Sequence, residues 1–233
     1  MPAPRLPRVA VALDTPDRAT FERWCRLFGP RVGLLKVGLE AFLRWGPQAV
    51  EVARDHAEGV FLDVKLHDIP NTVGRAVAAA RDLGVRFLTV HAAGGHEMLA
   101  AAVEAAADQV ELLAVTVLTH LDEEGLGALG MPGTVGARVA AWAELAREQG
   151  CAGVVCSPQE LAGLRARLPP PFLLVTPGVR PAGAALADQR RVATPRQALA
   201  AGADYLVIGR PLTAAADPRR ALADLARELA PAG

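Results

Sequence analysis

One pattern constrains this chain more than any other: short apolar runs alternate, from end to end, with longer segments rich in Ala, Arg, Glu and Leu. The short runs are Val9–Leu13, Leu34–Val37, Val60–Val64, Phe87–Val90, Glu111–Val117, Gly153–Cys156, Phe172–Val175 and Tyr205–Ile208. Runs of this length, bounded by turn residues, read as buried strands. Between them Thr72–Leu83, Met98–Ala107, Ala137–Gln149, Pro158–Leu168 and Pro195–Ala201 carry apolar residues at helical spacing, and Pro218–Leu229 follows the last strand. Gly59, Gly84, Gly150 and Gly202 stand just ahead of strands, where helix C-caps and αβ turns favour glycine. Strands separated by helices pair in parallel, because each crossover returns the chain to the same end of the sheet. Eight such units, with no linker or composition break, predict a single (β/α)8 TIM barrel over residues 1–233. An open doubly wound sheet would call for a Gly-rich first βα turn, and Leu13-Asp14-Thr15-Pro16 is not one.

Twenty-five acidic residues balance 25 basic ones and aromatics are 4%, so neither a nucleic-acid partner nor an anionic membrane surface is expected. Cys25, Cys151 and Cys156 are odd in number and lack metal-ligand spacing, which reads as reduced thiols. The first apolar run ends at Asp14, too soon for a signal segment, and no run reaches membrane-spanning length. A soluble, cytoplasmic protein is the expectation.

Lysine is scarce: of the 25 basic residues only Lys36 and Lys65 are lysines, and both lie in strand runs. An ammonium is a compact charge that can give up a proton, whereas a guanidinium keeps its own. In a barrel of this kind chemistry gathers at the C-terminal ends of the strands. The polar residues that interrupt or close the strands are therefore candidates: Asp14, Lys36, Asp63, Lys65, His91, Thr116, Thr119, Thr176 and Gly209-Arg210. Asp63 and Lys65 are two apart and leave the same face of the third strand, with Lys36 on the adjacent strand about 4.8 Å away. Asp68 falls on the loop into the next helix. The order Lys36–Asp63–Lys65–Asp68 gives each charge an opposite neighbour, which is what burying four charges together requires. Such carboxylates hold Lys65 as an ammonium, a stored proton rather than a free-amine nucleophile. An ion network that only ties strand ends together is the plainer alternative; its position at this face of the barrel favours function.

A second constellation lies downstream. Thr176-Pro177-Gly178-Val179-Arg180, Asp188-Gln189-Arg190-Arg191 and Gly209-Arg210-Pro211 fall in the loops after the seventh and eighth strands, a common phosphate site in this architecture. Gly178 and Gly209 let backbone N–H groups approach an anion, Arg210 opens a helix, and Arg180 and Gln189 are placed to clamp the same anion.

These segments together resemble the orotidine 5′-monophosphate decarboxylases of the stand-alone bacterial type. The matching motifs are Leu13-Asp14, Leu35-Lys36-Val37-Gly38, Asp63-Val64-Lys65-Leu66-His67-Asp68-Ile69-Pro70-Asn71-Thr72, Thr89-Val90-His91, Val115-Thr116-Val117-Leu118-Thr119, Thr176 to Arg180, Asp188 to Pro195 and Val207-Ile208-Gly209-Arg210. They run in order over essentially the whole chain, and the Asp63–Thr72 block is the most specific of them. The resemblance implies decarboxylation of orotidine 5′-monophosphate to uridine 5′-monophosphate in de novo pyrimidine nucleotide synthesis, without metal or cofactor. It implies Lys65 as proton donor to C6, Asp63 against the departing carboxylate, Lys36 between Asp63 and the ribose, and Asp14 on the ribose hydroxyls. It also implies substrate contact along the whole Asp63–Thr72 block and at Pro177, with Thr119 at the pyrimidine and Arg180, Gln189, Gly209 and Arg210 at the phosphate. A homodimer is implied as well, with Asp68 and Thr72 reaching into the partner's site. Two positions depart from the pattern: Thr89 stands where Asn is expected, and His120 where a small residue is usual.

The rival readings differ in chemistry. Metal-dependent sugar-phosphate barrels share the Asp63-x-Lys65-x-x-Asp68 spacing but carry an acid where Lys36 stands. A Schiff-base aldolase needs Lys65 as a neutral amine, which flanking carboxylates oppose. A non-catalytic phospho-ligand sensor has no use for the charged array.

Overall fold

The computed structural model describes residues 5–180 and 193–230. Its strands are β1 (Leu6–Ala12), β2 (Val32–Gly38), β3 (Val60–Leu66), β4 (Phe87–His91), β5 (Glu111–Val115), β6 (Gly153–Val155), β7 (Leu173–Thr176) and β8 (Tyr205–Ile208). They pair in sequence order and β8 closes onto β1. Every pairing is parallel. Around them lie α1 (Arg18–Phe28), α2 (Leu39–Trp45), α3 (Pro47–Arg54), α4 (Pro70–Asp82), α5 (Gly95–Ala106), α6 (Glu123–Ala128), α7 (Val135–Glu148), α8 (Leu161–Arg167), α9 (Pro195–Ala200), α10 (Arg210–Thr213) and α11 (Pro218–Leu229). This is the (β/α)8 TIM barrel that the alternation predicts.

Strand parity sorts the side chains into two cores. Ala10, Ala12, Leu34, Phe61, Phe87, Leu113, Val175 and Val207 point into the barrel and form one cluster. Val9, Val11, Leu35, Val37, Leu62 and Leu88 alternate with them and join the cluster beneath the helices. Phe87 stands edge-on to both Phe61 and Tyr205, with ring centroids 5.9 and 5.1 Å away, so aromatic rings plug the lower barrel. The same parity continues upward along the strands into polar residues: Leu34 leads to Lys36, Phe61 to Asp63 and Lys65, Phe87 to Thr89 and His91.

Several boundaries differ from the apolar runs, for local reasons. β3 and β4 run on to Leu66 and His91 through the polar residues of the barrel mouth. β5 stops at Val115 rather than Val117, and Thr116 turns its hydroxyl onto the Val155 carbonyl at 3.0 Å. The helix expected from Pro158 begins at Leu161, because the Ser157 N–H donates to Glu160 Oε2 at 2.7 Å in a preceding turn. α4 begins at Pro70, where a missing N–H costs nothing. α9 begins on a capping box between Thr194 and Gln197.

Candidate active site

A cavity of about 460 Å³ opens at the C-terminal ends of the strands. On one side it is lined by Asp14, Lys36, Asp63 and Lys65, and on the other by Thr119, Pro177, Gly178, Arg180, Gly209 and Arg210. Apolar residues of the strands, among them Ala12, Phe61, Val115, Val155 and Val207, also line it. The charged side is one connected array. Lys36 Nζ lies 3.2 Å from Asp63 Oδ2 and 3.8 Å from Asp14 Oδ1, and Lys65 Nζ donates to Asp63 Oδ1 at 2.8 Å. Asp14 lies two residues beyond β1 and is exposed, whereas the Lys36 side chain is only 9% exposed. Gly38 leaves room for them: a Cβ there would come within 2.6 Å of Asp14 Oδ1 and 3.1 Å of Lys36 Nζ, and the two side chains would have to shift.

The electrostatics follow from this pairing. Burial pulls the Lys36 ammonium down, but the charges of Asp63 and Asp14 outweigh it and leave its pKa raised. Burial pushes Asp63 up, but Lys36 and Lys65 outweigh it and hold the carboxyl below the usual range. Both groups therefore stay ionised through neutral pH, and the desolvation cost is offset by mutual attraction.

Lys65 has left-handed backbone, φ +50, inside β3. For a residue with a side chain this costs about 1–2 kcal/mol. It coincides with a shift in the β3–β4 register, which passes from Leu62↔Leu88 to Leu66↔Val90. Irregular backbone held at a charged cavity mouth is the usual company of a functional group.

The rest of the Asp63–Thr72 block lies away from this cavity within its own chain. Val64 and Leu66 are half-buried against the core beneath the helices. His67 stacks on His91, with ring centroids 5.2 Å apart. Burial, then His67 and Lys65, lowers the pKa of His91, whose Nδ1 is buried without a hydrogen-bond partner. Asp68 is exposed and accepts the Ile69 N–H at 2.7 Å. The array thus joins Asp14, Lys36, Asp63 and Lys65, and Asp68 stands outside it. Ile69 is 66% exposed, and Pro70, Asn71 and Thr72 form the first turn of α4, with Asn71 and Thr72 exposed.

On the opposite wall Gly178 has φ +75, a conformation that favours glycine. Gly209 has φ −111, and α10, which starts at Arg210, is only four residues long. With so short a helix, the positive charge that Arg210 brings to this wall is that of its guanidinium rather than of a helix dipole. Gln189 lies outside the described residues; the chain on either side of that stretch is joined by a bridge, with Arg180 N–H donating to the Ala193 carbonyl at 3.0 Å. Thr116 and Thr176, polar strand ends that the sequence marks as candidates, turn their hydroxyls onto the carbonyls of Val155 and Cys156. His120 is exposed beside the cavity-lining Thr119. Cys156 lines the cavity, but burial pushes its thiol far above the ordinary range. Among the described residues no group of three His, Cys, Asp or Glu side chains is placed to hold a metal ion. Thr89, which is not among the candidates marked by the sequence, shares the inward parity of His91 two residues on and accepts the Lys65 N–H.

Known proteins are similar to this chain along nearly all of its length. An orotidine 5′-phosphate decarboxylase from Thermobifida fusca (strain YX) is 57% identical over 226 residues, covering 97% of each chain. One from Anaeromyxobacter sp. (strain K) is 54% identical and covers 95% of this chain and 98% of its own. The crystal structure of an orotidine 5′-phosphate decarboxylase from Lactobacillus acidophilus superposes with a TM-score of 0.83 at 34% identity, covering 97% of this chain and 98% of its own. The model of one family matches residues 7–225, a span that takes in the lysine–aspartate array and the glycine-bearing loops after β7 and β8, and so the chain belongs to the orotidine 5′-phosphate decarboxylase / HUMPS family.

Proposed function

We propose that this protein converts orotidine 5′-monophosphate to uridine 5′-monophosphate and carbon dioxide, the closing step of pyrimidine nucleotide synthesis, with Lys65 as proton donor. The observation that carries the reading is the Lys36–Asp63–Lys65 array lining the same cavity as Arg180, Gly209 and Arg210. Departure of carbon dioxide breaks its bond to C6 and leaves the electron pair on C6. A fixed ammonium beside that carbon stabilises the growing charge without reorganisation. Lys65 then transfers its proton to C6, and solvent recharges the amine. Asp63 holds the ammonium at 2.8 Å and lies against the departing carboxylate; Lys36 links Asp63 to the ribose, and Asp14 takes the ribose hydroxyls. Thr119 contacts the pyrimidine and Pro177 the substrate, while Arg180, Gln189, Gly209 and Arg210 hold the phosphate. The enzyme acts in the cytoplasm as a homodimer, with Asp68 and Thr72 entering the partner's site; their exposure, outside their own cavity, supports this.

Carbon dioxide release from orotidine 5′-monophosphate tests the reading. Lys65→Ala is expected to lose at least about 10⁴-fold in kcat while still binding the product nucleotide. Dialysis against a chelator is expected to leave the rate unchanged. Turnover near normal in Lys65→Ala, or a rate that only magnesium restores, overturns it.

A further inference from the structure

We propose that Thr89 is a positioning residue of this active site, acting through its hydroxyl on the backbone of Lys65 and on the carboxylate of Asp63. The proposal rests on the decarboxylase reading and deepens it. Between Leu62↔Leu88 and Leu66↔Val90, β3 advances four residues while β4 advances two, so residues 63–65 leave the ladder opposite Thr89. An amide displaced from its ladder needs another acceptor. Thr89 Oγ1 accepts the Lys65 N–H at 2.8 Å and donates its own proton to Asp63 Oδ1 at 3.1 Å. The same Oδ1 accepts from Lys65 Nζ at 2.8 Å. One hydroxyl, on a residue with no solvent exposure, thereby closes a ring through the backbone of Lys65, its ammonium and the Asp63 carboxylate.

The ring does two things. It ties down the left-handed backbone that aims Lys65, which regular strand pairing does not hold. It also gives Asp63 Oδ1 a second donor, so the carboxylate, and with it the ammonium, keeps one orientation. Thr89 is not among the residues lining the cavity, so it acts through its two neighbours rather than on the substrate. A proton donor displaced by a fraction of an ångström loses rate more than it loses affinity.

Three proteins test this: the wild type, Thr89→Val, which keeps the shape without the hydroxyl, and Thr89→Ser, which keeps the hydroxyl. Thr89→Val is expected to lower kcat at least about tenfold, with KM and affinity for uridine 5′-monophosphate changed less than about threefold. Its acid limb is expected to move to higher pH, because Asp63 has lost a donor to its ionised form. Thr89→Ser is expected to hold kcat within about threefold of the wild type. Thr89→Val at the wild-type rate, Thr89→Ser falling as far as Thr89→Val, or a loss confined to KM overturns the proposal. Hydrogen exchange at the Lys65 amide of the wild type is an independent measure: protection is expected, and exchange as fast as that of an exposed loop amide overturns it, whether or not Thr89→Val folds. A wild type that releases no carbon dioxide sinks the decarboxylase reading alone, since the amide measurement still decides the bond to Thr89.

Discussion

Lys36 and Asp63 stay charged in a nearly dry place because each supplies what the other lost in leaving water. Asp63, held below the ordinary carboxylate range, stabilises the fold above about pH 4, and that contribution is lost as pH falls through its lowered pKa. Lys36, held high, contributes below about pH 10 and loses its share as pH rises through its raised pKa. Neither titrates near neutrality. His91 behaves differently. Burial, His67 and Lys65 lower its pKa, so the unfolded chain takes up a proton near pH 6.5 that the folded chain refuses until lower pH. Stability is therefore expected to fall as pH drops from about 6.5. Thermal melts of His91→Gln are expected to show a shallower acid-side decline than the wild type; parallel curves would assign the decline to other groups.

Each βα unit divides its work between its ends. At the upper end of the β8–α10 unit Arg210 lines the cavity, where the proposed function places the phosphate. Arg210→Ala is expected to raise KM for the nucleotide more than it lowers kcat, and added phosphite is expected to recover part of the activity on a substrate lacking its phosphate. An equal effect on substrates with and without phosphate would contradict this role. The lower ends are fastened separately. From α8, Arg165 donates to the carbonyls of Leu168 and Phe172 at 2.9 Å and to that of Gly202, and it pairs with Asp204, which in turn accepts the Leu174 N–H at 2.7 Å. One guanidinium thus ties the turns that lead into β7 and β8. Arg165→Ala leaves several of these groups without a partner and is expected to cost about 2–4 kcal/mol in denaturant unfolding, with kcat unchanged. A rate loss equal to that of Arg210→Ala would show the two ends to be coupled.

At the scale of the assembled molecule Asp68 matters most: it is exposed and outside its own cavity. In a two-fold dimer whose sites take Lys65 from one chain and Asp68 from the other, Lys65→Ala and Asp68→Ala complement each other. A mixed dimer holds one doubly damaged site and one intact site. With random exchange half the dimers are mixed, so about a quarter of full activity is expected to return. No recovery despite demonstrated exchange would mean that Asp68 serves its own chain. Among the described residues no helix is long and apolar enough to cross a membrane.

The barrel could be read from the chain itself, because strand and helix periodicities are local and a parallel crossover leaves few ways to connect them. Lys36 and Asp63 could be read for the same reason: the period of two carries the inward face from Leu34 to Lys36 and from Phe61 to Asp63. The limits are equally physical. Val115, Val155 and Cys156 line the cavity, yet as letters they match the core residues around them, since burial under solvent-filled space and burial under a side chain ask for the same chemistry. The left-handed backbone of Lys65 and its tie to Thr89 arise from the register of β3 against β4. No local pattern encodes that register, because it depends on how two strands 24 residues apart in the Lys65–Thr89 bond settle when the barrel closes.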